Sequence, residues 1–224
     1  MPESHYHNFF YPLQDRILTI VAAEKTGFYL TGGTALSRFY LNHRYSDDLD
    51  FFINNSPDFK LLSNRIIGRL KQETFRLSAG TVSKNFVRFI IEEENVSVKV
   101  DLVNDVSFHY GKFKADKRFG RIDNWRNILS NKLSALSRLE AKDVVDILFI
   151  AERYPFSWEA IVGEAKEKDL WVNPLEISKL IGEFPMNRLS DIKWIAGPDS
   201  QKAAYGLQII QKEVLLGVHN SLCG

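Results

Sequence analysis

Residues 29–53, YLTGGTALSRFYLNHRYSDDLDFFI, place a Gly-Gly pair between two apolar runs, with aspartates before and within the second run. The runs FYL at 28–30 and LDFFI at 49–53 predict short strands, and residues 34–42 predict a helix opened by the glycine turn. A core gains nothing from Asp48 and Asp50 at a strand edge, because an unpaired buried carboxylate is costly. The stretch therefore predicts the strand–helix–strand opening of an α/β fold, with something positively charged beside the acids.

The flanking sequence extends this pattern. Apolar residues at helical spacing predict amphipathic helices over 9–25 and 59–70. Over 76–103 the period changes to two, which predicts strands that extend the sheet as antiparallel neighbours. The rest of the chain is mainly helical in pattern. The sequence thus predicts a core domain over 1–122, with a mixed sheet flanked by helices, and a helical C-terminal domain over 123–224.

The composition limits the partners and the compartment. The chain has 224 residues, 45% of them hydrophobic, which is enough to bury a core. With 29 basic and 28 acidic residues, no global field attracts nucleic acid, and a basic surface would have to be local. A single cysteine, Cys223, excludes a disulfide framework within one chain. The N-terminus is unlike a secretory signal and no long apolar stretch occurs, which predicts a cytoplasmic protein with no membrane segment.

The aspartates in and near the predicted strands form a candidate metal site. Residues two apart in a strand share a side, so Asp48 and Asp50 could grip one cation together. Asp101 is a lone acid in the run VSVKVDLV, where it shares a side with Lys99. Three carboxylates from two adjacent strands suit Mg²⁺, which combines a few acids with waters and substrate phosphates. The pattern indicates phosphoryl-transfer chemistry.

The glycine turn is a candidate phosphate-binding loop. Gly32 and Gly33 stand where a strand meets a helix, and glycines there let backbone N–H groups approach a triphosphate. Taken singly, a Gly-Gly pair more often marks a plain turn, and an Asp-x-Asp pair on a surface strand is more often solvated. Their order and spacing together favour the functional interpretation.

Four motifs together resemble a known family. GGTALS, HRYSDDLDFF, VKVDLV and NKLSALSRLEAKDVVDI, within 29–150, are similar to motifs of the AbiEii/AbiGii toxin nucleotidyltransferases, a branch of the DNA polymerase beta-like superfamily. The resemblance implies a metal-dependent enzyme, using Mg²⁺ or Mn²⁺, that moves a nucleotide monophosphate from an NTP to an acceptor. It further implies the toxin of a bacterial toxin–antitoxin or abortive-infection system, with a cognate antitoxin. For some members the acceptor is a tRNA 3′ end, so RNA is the expected acceptor.

The resemblance also carries roles to residues of this chain. It implies metal binding by Asp48 and Asp50, with Asp101 as a lower-ranked third carboxylate that could take a proton. It implies nucleotide contacts at the glycine loop and in the last motif; the candidates are Gly32, Gly33, Thr34, Ser37, Lys132 and Asp143. Asp146 is a second candidate for proton transfer. Lys142 stands where the family has arginine, and lysine keeps the charge but loses the bidentate fork.

The last motif also fits a helical pattern. Lys132, Asp143 and Asp146 would share one face if a single helix ran through 132–146. A solvated charged face is the alternative. Within VVDILFI, however, Asp146 needs a cationic partner, and Lys132 or Arg138 is the predicted one.

Weaker signals complete the picture. Arg44 is interpreted as part of a polar loop, and the histidines as structural or solvated. Ser46 is a candidate phosphorylation site, since a phosphate beside Asp48 would compete for the metal and repel a triphosphate. The loop GKFKADKRFGR at 111–121 is the best stretch for an RNA backbone, although a solvated loop is the favoured interpretation.

Two other functions stay open. The first is nucleotidyl transfer to a hydroxyl of a small molecule or a protein. The second is a non-catalytic module that keeps the fold and binds nucleotide or RNA.

Overall fold

The computed structural model describes residues 3–73, 75–94 and 96–224. The chain forms two compact units. The first runs to Ala35 and continues over Tyr45–Asn124, and the second combines Leu36–Arg44 with Trp125–Gly224. The short segment Leu36–Arg44 therefore belongs to the second unit, which the sequence pattern does not indicate.

The first unit is built on one mixed sheet. Its strands are β1 (Tyr29–Thr31), β2 (Leu49–Asn54), β3 (Arg76–Val82), β4 (Phe86–Glu93), β5 (Val96–Asp105), β6 (Lys114–Asp116) and β7 (Gly120–Ile122). Their order is β3-β4-β5-β2-β1-β7-β6. β2 pairs with β5, and β1 with β7, in parallel, whereas the other neighbours are antiparallel. The predicted mixed sheet, with antiparallel extension by the strands after residue 76, is confirmed.

Alternation of side chains explains how the sheet packs. The period-two apolar residues of β5 are buried, at 0–7% exposure: Val96, Val98, Val100 and Leu102. The helical segments of this unit include α1 (Glu3–His5), a π-helical turn (Tyr6–Phe10), α2 (Tyr11–Ala23) and α4 (Phe59–Lys71). Their apolar positions, such as Ile17 and Ile66, are buried as the helical spacing predicts.

A helical turn leads from the first unit into the second. α3 (Gly32–Leu36) follows β1 directly and continues as a π-helical turn (Ser37–Leu41), which ends at Asn42 in the left-handed region. The remaining helices are α5 (Trp125–Ala135), a 3₁₀ turn (Leu136–Arg138), α6 (Ala141–Arg153), α7 (Trp158–Lys168), α8 (Pro174–Gly182), a 3₁₀ turn (Met186–Asp191) and α9 (Ser200–Leu216). Within the described ranges, no helix is both long and apolar enough to cross a membrane.

The chain turns sharply between α5 and α6. Leu139, with φ of 56°, adopts the left-handed conformation that ends helices, so one helix does not run through 132–146. The condition under which one helical face would carry Lys132 and both acids is therefore not met. Two successive helices supply these residues instead.

Candidate functional site

The predicted metal acids lie close together in the first unit. The parallel register of β2 and β5 puts Asp50 directly opposite Asp101, and directly opposed residues point to the same side of a sheet. Asp48 precedes β2, and its Oδ2 lies 2.8 Å from Nζ of Lys99, two residues before Asp101 on β5. The structure thus brings Asp48, Asp50 and Asp101 to one region of the sheet.

Basic side chains contact two of these acids. Besides the Lys99–Asp48 pair, Arg88 of β4 lies opposite Asp101 and donates from Nε and Nη2 to its two oxygens, each at 2.7 Å. The hydrogen bond to Asp101 raises the pKa of Arg88, against a smaller opposing effect of burial. The positive charge that the sequence predicts beside the acids is supplied here by Lys99 and Arg88.

The glycine turn lies against the same acids. Gly32 has φ of 68°, and a Cβ at this position would stand 2.4 Å from Oδ2 of Asp50. The buried Thr34 hydroxyl donates to the backbone carbonyl of Asp48. The glycine turn and the Asp48–Asp50 pair, far apart as motifs, therefore share one site in the fold.

The donor set at this site suits a hard divalent ion. Among the residues that the structure describes, no group of three or more His, Cys, Asp or Glu side chains is placed to hold a metal. Mg²⁺ does not need such a cage, because it is commonly held by one or two carboxylates, waters and substrate phosphates. Asp48 and Asp50 supply two carboxylates, and the missing Cβ of Gly32 leaves room at Asp50. The residues present fit a magnesium ion that arrives with its nucleotide.

The last-motif residues form a buried ionic cluster in the second unit. Lys132 Nζ lies 2.6 Å from Oδ1 of Asp143 and 2.8 Å from Oδ2 of Asp146. Arg44 donates from Nε and Nη2 to the two oxygens of Asp146, each at 2.7 Å, and His43 Nε2 lies 2.9 Å from the same carboxylate. All five side chains are at most 7% exposed. We call these five residues the buried cluster.

The buried cluster holds its groups in their charged forms. Burial alone would raise the pKa of Asp146, but the charges of Arg44 and Lys132 and the hydrogen bonds from His43 and Arg44 bring it well below its usual range. Burial likewise opposes the charge of Lys132, and the carboxylates of Asp143 and Asp146 nevertheless hold its pKa above the ordinary value. Asp146 is consequently a weak proton acceptor and a strong anchor for cations.

The partners of Asp146 are predicted only in part. Lys132 is confirmed as one partner, whereas Arg138 contacts Asp143 at 3.2 Å instead. The interpretation of Arg44 as part of a polar loop is wrong, because its side chain is 4% exposed and binds Asp146 through two hydrogen bonds. An arginine 102 residues away gives no local signal of this pairing.

Backbone contacts hold the segment that carries Arg44 and His43. The Ser37 hydroxyl, predicted to contact nucleotide, is 1% exposed and donates to the carbonyl of Arg44. The carbonyl of His43 accepts from the N–H groups of Ile195 and Ala196 at 3.0 and 3.1 Å. Ser37 therefore positions Arg44 in this structure.

The loop before the metal acids is fixed by the N-terminal helices. The Tyr6 hydroxyl donates to Asp47 Oδ1 at 2.6 Å, and its ring stacks on Tyr45 at 3.9 Å between centroids. Gln14 Nε2 donates to the carbonyl of Ser46 at 3.0 Å. Ser46, the predicted phosphorylation site, is 9% exposed in this arrangement.

The remaining signals have structural settings. The basic loop forms the β6–β7 hairpin, where Arg118 lies 3.4 Å from Asp15 and Arg121 donates to the carbonyl of Gly27. His109 Nε2 lies 3.0 Å from the fully buried Asp123, which agrees with a structural histidine. Asp123 also accepts from the Thr31 hydroxyl at 2.6 Å, a contact that sequence reasoning missed.

Comparisons with known proteins point in one direction. A family model described as the nucleotidyl transferase AbiEii toxin of type IV toxin–antitoxin systems matches residues 16–195. A crystal structure from H. pylori, described as a candidate nucleotidyltransferase, superposes with a TM-score of 0.65 at 20% identity and 96% coverage of each chain. JHP933 from Helicobacter pylori gives 0.60 at 17% identity, covering 96% of this chain and 94% of that one. No curated protein matches the chain.

Proposed function

The chain belongs to the AbiEii nucleotidyltransferase toxin family of type IV toxin–antitoxin systems, and from this premise we propose that it transfers a nucleotide monophosphate from an NTP to RNA in a divalent-metal-dependent reaction. The acceptor we propose is the 3′ end of a tRNA, with pyrophosphate as the other product. The observation that carries the proposal is the meeting of the glycine turn with the Asp48–Asp50 pair in one site.

Asp48 and Asp50 would hold the metal ion. A bound Mg²⁺ or Mn²⁺ would lower the pKa of the attacking hydroxyl and neutralise charge on the leaving pyrophosphate. Gly32 and Gly33 would let the backbone approach the triphosphate, because a side chain at position 32 would collide with Asp50. These residues of the first unit thus cover both metal and phosphate binding.

Asp101 is the better of the two candidates to take the proton of the acceptor hydroxyl. It lies opposite Asp50, and a carboxylate has about four lone-pair sites, of which Arg88 occupies two. Asp146 is disfavoured because cations lower its pKa and occupy both its oxygens. We therefore assign proton transfer to Asp101, and to Asp146 the positioning of Lys132 for the nucleotide phosphates.

Replacement of a proposed metal ligand tests the function. The purified protein is incubated with radiolabelled NTPs, Mg²⁺ and total RNA, and label in RNA is measured. Asp48→Ala is expected to reduce transfer by at least about a hundredfold, whereas Asp58→Ala, an exposed acid at the start of α4, is expected to retain it. Turnover that persists in Asp48→Ala removes the metal pair from the mechanism.

Two further measurements separate the alternative functions. Nuclease treatment that leaves the label in protein or in a small molecule favours transfer to another hydroxyl. Growth arrest by induced expression that is unchanged in Asp48→Ala favours a binding module without catalysis. Mass spectrometry of cellular RNA after induction is expected to find nucleotides added at tRNA 3′ ends.

A further inference from the structure

The Lys99–Asp48 and Arg88–Asp101 pairs differ in how firmly they are held. Arg88 grips the 8%-exposed side chain of Asp101 through two parallel hydrogen bonds, a geometry that fixes both partners. Lys99 contacts Asp48 through a single ammonium, and both side chains remain about one-third exposed, at 33% and 28%. A partly exposed lysine pair of this kind is weak and easily exchanged.

Lys99 occupies the place where a metal ligand must become available. Its ammonium lies 2.8 Å from Oδ2 of Asp48, so a divalent ion that binds this oxygen competes with it for the same lone pairs. Strand alternation keeps Lys99 on the side of β5 that carries Asp101, opposite the side of the buried Val98 and Val100. The displaced ammonium therefore stays beside the site, where it is repelled by the metal and attracted by an anion.

We propose that Lys99 is an exchangeable cation of the site: it neutralises Asp48 in the metal-free protein, and when a divalent ion displaces it, its ammonium binds the triphosphate of the NTP. This inference rests on the proposed function and extends it, since it gives Lys99 a role in nucleotide binding. Metal alone binds weakly because it must displace Lys99, and metal with NTP binds well because the triphosphate accepts the released ammonium. Binding of metal and nucleotide is then cooperative, and the coupling is reciprocal.

The test measures binding without turnover. The affinity of the whole protein for Mn²⁺ is determined by electron paramagnetic resonance, alone and with an ATP analogue that cannot be cleaved between the α and β phosphates. Lys99→Met is expected to bind Mn²⁺ alone about fivefold more tightly, the upper end for loss of a partly exposed ion pair. The same variant is expected to lose most of the gain in Mn²⁺ affinity that the analogue gives the wild type.

Matched variants separate this role from general effects of charge or folding. Lys99→Arg keeps a competing cation and is expected to bind Mn²⁺ as weakly as the wild type. Lys84→Met removes an exposed lysine at the turn between β3 and β4 and is expected to change neither affinity. Lys99→Gln is the second neutral variant, to be used if thermal unfolding shows that Lys99→Met does not fold.

The outcomes are distinct for the two proposals. Unchanged or weaker Mn²⁺ binding in a folded neutral variant overturns the role of Lys99, even if the wild type transfers nucleotides. Tighter Mn²⁺ binding with a lost nucleotide effect supports it. A wild type that shows this exchange yet labels no acceptor retains the inference and overturns the proposed reaction.

Discussion

Asp146 is the residue on which the buried cluster depends. It is fully buried and faces Arg44, Lys132 and His43, so its loss leaves cations inside the second unit without their counter-charge. Removal of one member of a buried ionic group typically costs about 3–5 kcal/mol. Asp146→Asn is therefore expected to lower the free energy of unfolding in urea by about this amount.

An exposed acid provides the control for this substitution. Asp191 pairs with Arg188 at 3.2 Å with 55% of its side chain exposed. Asp191→Asn is expected to change the stability by less than about 1 kcal/mol, because water screens such a pair. Equal effects of the two substitutions would show that the buried cluster adds nothing beyond an ordinary surface contact.

The same carboxylate gives the stability a defined dependence on pH. The pKa of Asp146 lies well below 3.8 in the folded chain and near that value when unfolded, so the unfolded state takes up the proton first as the pH falls. Its contribution is fully present above about pH 4 and is lost as the pH approaches the folded pKa. Urea titrations at falling pH are expected to show a shallower acid loss in Asp146→Asn than in the wild type.

Gly32 can be tested in the same way at the first site. Its φ of 68° and the 2.4 Å approach of an added Cβ to Asp50 both oppose a side chain. Gly32→Ala is expected to cost about 1–3 kcal/mol of stability and to lower nucleotidyl transfer, because it displaces a proposed metal ligand. Gly68→Ala, in α4 with open space around it, is expected to add about 0.5–1 kcal/mol; a loss there would point to a general intolerance of alanine.

At the scale of elements, the turn between α5 and α6 decides which residues meet. Leu139 holds a left-handed conformation with 58% of its side chain exposed, so it pays a backbone strain and buries little. Leu139→Gly is expected to stabilise the chain by up to about 1 kcal/mol in urea unfolding, and Leu139→Val to destabilise it. The opposite order would mean that the side chain, and not the backbone, sets the energy of the turn.

The elements also show how far sequence reasoning reaches. Alternation in VSVKVDLV identified the buried side of β5, and the same rule placed Asp48, Asp50 and Asp101 near one another. The pairing of Arg44 with Asp146 was not predictable in this way, because only the folded chain brings residues 102 positions apart together. Spacing within a predicted helix likewise could not reveal the left-handed Leu139.

At the scale of the whole molecule, the second unit is completed by a segment from the first part of the chain. Leu36–Arg44 supplies two cationic partners of the buried cluster and a backbone carbonyl for Ile195 and Ala196. A fragment of residues 125–224 alone is therefore expected to lack a cooperative urea transition, because Asp146 would be buried without Arg44. A cooperative transition like that of the intact chain would contradict this dependence.

This discontinuity has a consequence for synthesis on the ribosome. Arg44 emerges 102 residues before Asp146, which at about 5–20 residues per second is a delay of several seconds. Throughout that delay the nascent chain carries a guanidinium destined for an interior that has not yet been translated. A premature stop before Asp146 would consequently release a polypeptide whose early segment has no place to go.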